Sequence, residues 1–270
     1  MDTPRTEAPI GVFDSGVGGL TVLRALIAEL PHEDFLYLGD TARLPYGTKS
    51  PATVARYSVR AAEVLVEREI KALVVACNTA SASALPPLRE RFPTLPVIGV
   101  IEPGARAACE ASQSGRIAIL ATEGTVQGGA YKRAIEALRP EAQVTQIACQ
   151  IFVALAEEGW SEGSAVDATA ERYLAHLDAR VDTVVLGCTH FPLLADAIAR
   201  QLGPARRIVD SAATTARAAQ RTLATRQLTR GTRGGLLRLL ATDSPERFAR
   251  VGARFLGSSI AAKSVEAIDL

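Results

Sequence analysis

Leu73-Val74-Val75-Ala76-Cys77-Asn78-Thr79-Ala80 has a near-copy 111 residues later, Val184-Val185-Leu186-Gly187-Cys188-Thr189-His190-Phe191. In each, an apolar β-branched run ends in a small residue, then Cys, then two polar residues, then a stretch that reads as a helix. The pattern puts each thiol at the carboxyl end of a strand and at the mouth of a helix. Open α/β sheets hold their ligands in that crevice. Two such thiols, one from each half, can approach one small molecule from opposite sides. This fits a reaction that needs a proton carrier on each face of one carbon.

Working outward, strand and helix patterns alternate along the whole chain. Residues 10–14 read as a buried strand, 16–19 as a turn and 20–30 as a helix. A second strand over 35–38 ends in Gly39-Asp40, and Pro45-Tyr46-Gly47 is a loop. Ser50 suits a helix cap with Pro51 in the first helical position, and that helix runs to about 69. After the strand and helix around Cys77 comes a strand over 97–100. The cycle then restarts. Strands are expected over 117–121, 144–148, 183–186, 208–209 and 236–241. Helices are expected after the turn Thr122-Glu123-Gly124-Thr125 to about 138, over 152–158, 165–177 and 193–202, from Ser211, and from Ser244-Pro245 to 255.

Such alternation implies mainly parallel sheets covered by helices. The step from Asp14 to Thr122 is 108 residues, close to the step between the two thiols. The fold class expected is α/β, with two pseudo-twofold-related lobes and the active site in the cleft between them. Lobe one takes residues 1–100 and 208–270 and carries Cys77; lobe two takes 101–207 and carries Cys188. Pro/Gly punctuation at Gly99 to Gly104 and at Gly203-Pro204 marks the crossings.

Composition narrows the function. A chain of 270 residues, 48% apolar, can bury a substantial core. A net charge of +1 gives no electrostatic footprint for nucleic acid or an anionic membrane. No apolar run approaches the roughly 20 residues that span a bilayer. Met1 to Pro9 is short and polar without a signal-peptide core, so a cytoplasmic location is expected. The four cysteines are widely spaced with no C-x-x-C pair, and His32, His176 and His190 lie far apart. No metal site is expected.

The turn Asp14-Ser15-Gly16-Val17-Gly18-Gly19 sits where a nucleotide loop would. The third glycine of such a loop would fall at Thr21, and no G-K-[ST] follows. The turn suits a small anion held by backbone N–H groups and the Ser15 hydroxyl. Cys109 and Cys149 read as core residues. Cys77 and Cys188 read as reactive, since a thiol near pKa 8.5 is lowered at a helix N-terminus. Asp14 ends the strand beside Cys77, and His190 follows Cys188 by two; either can orient a thiol. The alternatives on local evidence are a helix cap for Asp14 and a structural role for His190. Ser15, Asn78, Thr79, Thr122 and Thr189 are neutral donors for carboxylates. Tyr46-Gly47 adds another donor from a mobile loop, with Arg43 and Lys49 beside it facing solvent.

Five motifs together closely resemble the glutamate racemases, cofactor-independent members of the aspartate/glutamate racemase superfamily. They are Phe13-Asp14-Ser15-Gly16-Val17-Gly18-Gly19-Leu20, Leu38-Gly39-Asp40, Pro45-Tyr46-Gly47, Ala76-Cys77-Asn78-Thr79-Ala80-Ser81 and Leu186-Gly187-Cys188-Thr189-His190-Phe191-Pro192. They run in that family's order and spacing across most of the chain. The resemblance implies interconversion of L- and D-glutamate without a cofactor, supplying D-glutamate for peptidoglycan, by a homodimer. It makes Cys188 the acid/base for the L enantiomer and Cys77 for the D enantiomer, assisted by Asp14 and His190. It makes Asp14, Ser15, Tyr46, Gly47, Asn78, Thr79, Thr122, Thr189 and His190 substrate-binding, with Asp40 and Glu157 behind them. Around Glu157 the sequence departs from the family: Cys149-Gln150-Ile151-Phe152-Val153-Ala154 lacks two prolines. Some relatives need a peptidoglycan precursor as activator and carry a longer N-terminal extension; with nine residues before the first strand, no such dependence is expected. Rival readings are a racemase for aspartate or another amino acid, a decarboxylase of the same fold, a gyrase-restraining protein, and a thiol redox switch. The balanced charge argues against a DNA mimic.

Overall fold

In the computed structural model, residues 5–270 are described; the first four residues of the polar 1–9 segment lie outside them. The first half builds β1 (Ile10–Asp14), α1 (Leu20–Glu29), β2 (Phe35–Gly39), α2 (Pro51–Val66), β3 (Ala72–Val75), α3 (Asn78–Arg91) and β4 (Val97–Gly99). Every residue of these four strands is buried. Unbroken burial marks parallel strands covered on both faces. Leu73, Val74 and Val75 have no exposure at all, and each such side chain contributes about 1.5–3 kcal/mol. Ser50 caps α2 as its sequence suggests, its hydroxyl accepting from Thr53 N–H at 3.3 Å, with Pro51 leading.

The second half runs α4 (Ile101–Ala111), β5 (Arg116–Ala121), α5 (Glu123–Gly128), α6 (Ala130–Leu138), β6 (Gln143–Ala148), α7 (Ile151–Glu158), α8 (Ser164–Leu174), β7 (Thr183–Gly187), α9 (Ala195–Leu202) and β8 (Arg207–Asp210). It closes with α10 (Ser211–Thr225), β9 (Leu237–Ala241), α11 (Pro245–Leu256) and β10 (Val265–Ala267). All strand pairs are parallel. One sheet has the order β10-β9-β2-β1-β3-β4, the other β6-β5-β7-β8. The shared part, second-first-third-fourth, is the same in both. In each sheet the order reverses between the first and third strands, and there the carboxyl ends form a crevice. Asp14 and Cys77 stand at that point of the first sheet, Thr122 and Cys188 at that point of the second.

Four expectations need correction. Val184 pairs with Ile208 and Leu186 with Asp210, so the second sheet keeps the chain to residue 210 and the division at 207/208 falls too early. The Gly99 to Gly104 stretch is no bare crossing, because α4 starts at Ile101. Pro103 fits there since the N–H groups of a first helical turn have no partner within the helix. The turn expected over 122–125 already caps and opens α5, and the helix expected after it to about 138 is broken at Gly129, whose φ of 60° is left-handed. Before α9, residues Phe191–Leu194 form a separate 3-10 turn.

Candidate active site

The crevices of the two sheets face each other and enclose one cavity. Its walls include Ser15, Tyr46, Gly47, Cys77, Asn78, Thr79 and Thr122, with Gln150, Glu157, Cys188, Thr189 and His190 opposite or beside them. The enclosed space is about 30 Å³, and one water needs about 10–15 Å³ on that measure. A wider groove of about 750 Å³ lies at α4 and α10, lined by Arg89, Arg106 and Arg217 among others. No thiol or imidazole lines it, so it offers no comparable chemistry.

Cys77 is the cap of α3: its Sγ accepts from Ala80 N–H at 3.4 Å, and its thiol lies 3.5 Å from Ser15 Oγ. Burial, and then the Asp14 charge, push the Cys77 thiol up to about 12 against these hydrogen bonds. It therefore holds its proton at neutral pH. Cys188 is 6% exposed and its Sγ lies 3.8 Å from His190 Nδ1. His190 Nε2 is 3.3 Å from Glu157 Oε1, and Arg247 of α11 donates to Glu157 Oε2 at 3.0 Å. Burial works to lower the His190 pKa, but the bonds to Cys188 and Glu157 outweigh it and raise the imidazole to about 10. The His190 bond holds the Glu157 carboxyl below its usual range, helped by Arg247. A charged imidazole thus faces Cys188 with both ring nitrogens donating. The two missing prolines leave α7 intact and Glu157 in contact with His190.

Asp14 does not cap α1, which starts six residues later at Leu20. Its Oδ2 accepts from Gly16 N–H at 3.0 Å, and it is fully buried behind the cavity wall. Burial raises its pKa, opposed by the His190 charge and by the N–H groups of Gly19, Gly16 and Ser15. Tyr46 and Gly47 lie in a buried 3-10 turn, not an exposed loop. The Tyr46 hydroxyl donates to Asp40 Oδ2 at 2.6 Å, so its one proton is already committed. Asp40 also accepts from Arg43 at 3.1 Å and from Thr242 at 2.9 Å. Arg43 is consequently tied down rather than free in solvent. Gly47 meets the other half so closely that a Cβ there would stand 2.8 Å from Thr122 Cβ. The Thr79, Thr122 and Thr125 hydroxyls form a triangle with sides of 2.9, 3.1 and 3.0 Å. Thr189 is held from the first half by Thr21, whose hydroxyl donates to its carbonyl at 3.1 Å.

Sequence reasoning missed Thr125, Gln150 and Arg247. Thr125 had a signal, lying one helical turn after Thr122. Arg247 had none, because it reaches Glu157 across 90 residues of chain. Among the described residues, no group of three or more His, Cys, Asp or Glu side chains is gathered as a metal would require. Nor is any helix among them long and apolar enough to cross a membrane.

With thiols facing one cavity from two related sheets, residues 10–219 match the Asp/Glu/Hydantoin racemase family model. The chain belongs to that family. It is 52% identical to the glutamate racemase of Geobacter metallireducens over 253 residues, 93% of each chain. It is 43% identical over its whole length to that of Neisseria meningitidis. Among solved structures, the Francisella tularensis glutamate racemase in complex with D-glutamate superposes with a TM-score of 0.92. That pair is 35% identical over 98% of each chain. An aspartate racemase from Picrophilus torridus shares the fold alone, at 16% identity and a TM-score of 0.57.

Proposed function

We propose that this chain interconverts L- and D-glutamate with two cysteines and no bound cofactor. The observation that carries this reading is that Cys77 and Cys188 line one cavity from opposite sheets. Cys188, as thiolate beside the His190 imidazolium, takes the α-proton of L-glutamate. The Cα–H bond breaks and its electron pair moves toward the α-carboxylate. The Cys77 S–H then breaks, and its proton joins Cα from the other face, giving D-glutamate and a Cys77 thiolate. In reverse the thiols exchange roles. The high pKa of Cys77 suits it to arrive protonated, and general acid–base groups of this kind supply about 10²–10⁴-fold each. Glu157, itself gripped by Arg247, holds His190 in its charged form. Asp14 faces the same imidazolium from the Cys77 side. Ser15, Asn78, Thr79, Thr122 and Thr189, with the N–H groups of the Tyr46-Gly47 turn, bind the two substrate carboxylates through neutral donors.

The catalytic body divides at the sheets, residues 5–100 with 211–270 forming one lobe and 101–210 the other. We assign the product to peptidoglycan synthesis in the cytoplasm and the assembly to a homodimer, following the family resemblance. Circular dichroism of the purified protein with L-glutamate and no additive tests the activity. Decay of the signal to zero supports it. Turnover of L-aspartate in preference to L-glutamate would replace glutamate as the substrate.

A further inference from the structure

Tyr131 stands behind Asn78. Its ring is fully buried, and its hydroxyl lies 2.8 Å from Asn78 Oδ1. Tyr131 belongs to α6, whereas Asn78 opens α3, so the bond joins the two halves of the chain. A phenol carries one O–H to give, and an amide oxygen only accepts. With Oδ1 accepting from the phenol, the amide is held with Oδ1 turned to Tyr131 and Nδ2 turned away. Nδ2 is buried with no partner in the protein, and Asn78 lines the cavity between the thiols. A buried donor left without an acceptor is costly, which marks a place for an acceptor on the ligand. The surroundings are shaped for the phenol. A Cβ on Gly104 would stand 3.2 Å from both the ring Cε1 and the hydroxyl oxygen, so the phenol packs tightly against α4.

We propose that Tyr131 is a positioning residue: it holds the Asn78 amide so that Nδ2 meets a carboxylate of the bound amino acid. Tyr131 itself does not touch substrate. The inference rests on the cavity being a glutamate site. Without the phenol, Oδ1 loses its donor and the amide can turn over, presenting its oxygen to the carboxylate.

Tyr131→Phe keeps the ring and removes only the hydroxyl. Steady-state kinetics in both directions should show KM for each enantiomer raised about tenfold, with kcat changed less than about threefold, the mark of lost ground-state binding. A residue with a merely structural role would lower the unfolding temperature and leave KM alone. Adding Tyr131→Phe to Asn78→Ala should change KM by less than about twofold, because the effect runs through the amide. An unchanged KM in Tyr131→Phe, with the wild type active on glutamate, overturns the inference and leaves the cavity's function standing. A wild type inactive on glutamate overturns both. Should Tyr131→Phe be too unstable to assay, Asn78→Ala and the double variant decide, since neither orphans the amide oxygen. Equal KM values support the inference, and a further loss in the double variant refutes it.

Discussion

Gly18→Ala should damage catalysis without altering any chemical group. A Cβ built on Gly18 lies 2.4 Å from Thr189 Oγ1 and 2.5 Å from both Cε1 and Nδ1 of His190. Carbon contacts settle near 3.5–4.0 Å, so the Thr189–His190 segment must retreat by roughly 1 Å. Gly18 is not among the glycines with positive φ, so the backbone accepts alanine and the effect is one of contact alone. The segment cannot yield freely, because Thr21 holds the Thr189 carbonyl and Glu157 holds the imidazole. A displacement of about 1 Å at reacting groups costs about 10²-fold in rate, and overpacking costs about 1–3 kcal/mol of stability. The assay is racemisation followed by circular dichroism from each enantiomer, with thermal unfolding alongside. The expected result is kcat/KM lowered about 10²-fold in both directions, with the unfolding temperature down by only a few degrees. Gly128→Ala is the control, its new Cβ meeting nothing nearer than Ala82 Cβ at 3.5 Å. Gly18→Ala retaining activity within about threefold of wild type would refute the close approach of this turn to His190.

Cys77→Ser and Cys188→Ser should each lower racemisation by at least about 10²-fold, whereas Cys109→Ser, on α4 away from the cavity, should cost little; the opposite ranking in a rate assay would displace the site. His190 lies near 10 in the folded chain against 6.5 as an ordinary imidazole, so folding favours its protonated form. That contribution is complete below about pH 6.5, shrinks above it and is gone beyond about pH 10. Urea titrations should therefore show the stability gap between wild type and His190→Asn narrowing as pH rises, and a constant gap contradicts the assignment. Dialysis against a chelator should leave the rate unchanged, and loss of activity restored by a divalent metal would contradict the two-thiol chemistry.

Most strands were legible because they are apolar runs ending at small or polar residues, as in residues 72–77 and 183–188, but the short edge strand β10, Val265-Glu266-Ala267, carries too little pattern and was missed. The helix α4 was not, since Pro103-Gly104 reads as punctuation and only its place in a first turn makes it tolerable. The short strand β8 was recognised, but its sheet was not, because pairing with β7 is a long-range fact. The site was legible to the extent that it is made of strand-end motifs: Asp14, Ser15, Cys77, Asn78, Thr79, Thr122, Cys188, Thr189 and His190 all arrive on such ends. What those motifs touch was not. The Tyr46 phenol is consumed by Asp40, and Glu157 is gripped by Arg247 of a distant helix. These depend on how the two sheets meet.

The central claim is that two thiols serve opposite faces of one carbon, and the label at Cα tests it most directly. L-glutamate is turned over in deuterated water and sampled early. Cys188 removes the α-proton and Cys77 delivers a deuteron from its own solvent-exchanged sulfur. D-glutamate should then be almost fully deuterated at the α-carbon while the remaining L-glutamate keeps protium, and starting from D-glutamate should mirror this. Protium carried across into product, or deuterium entering recovered substrate as fast as product forms from both directions, would contradict the two-thiol account.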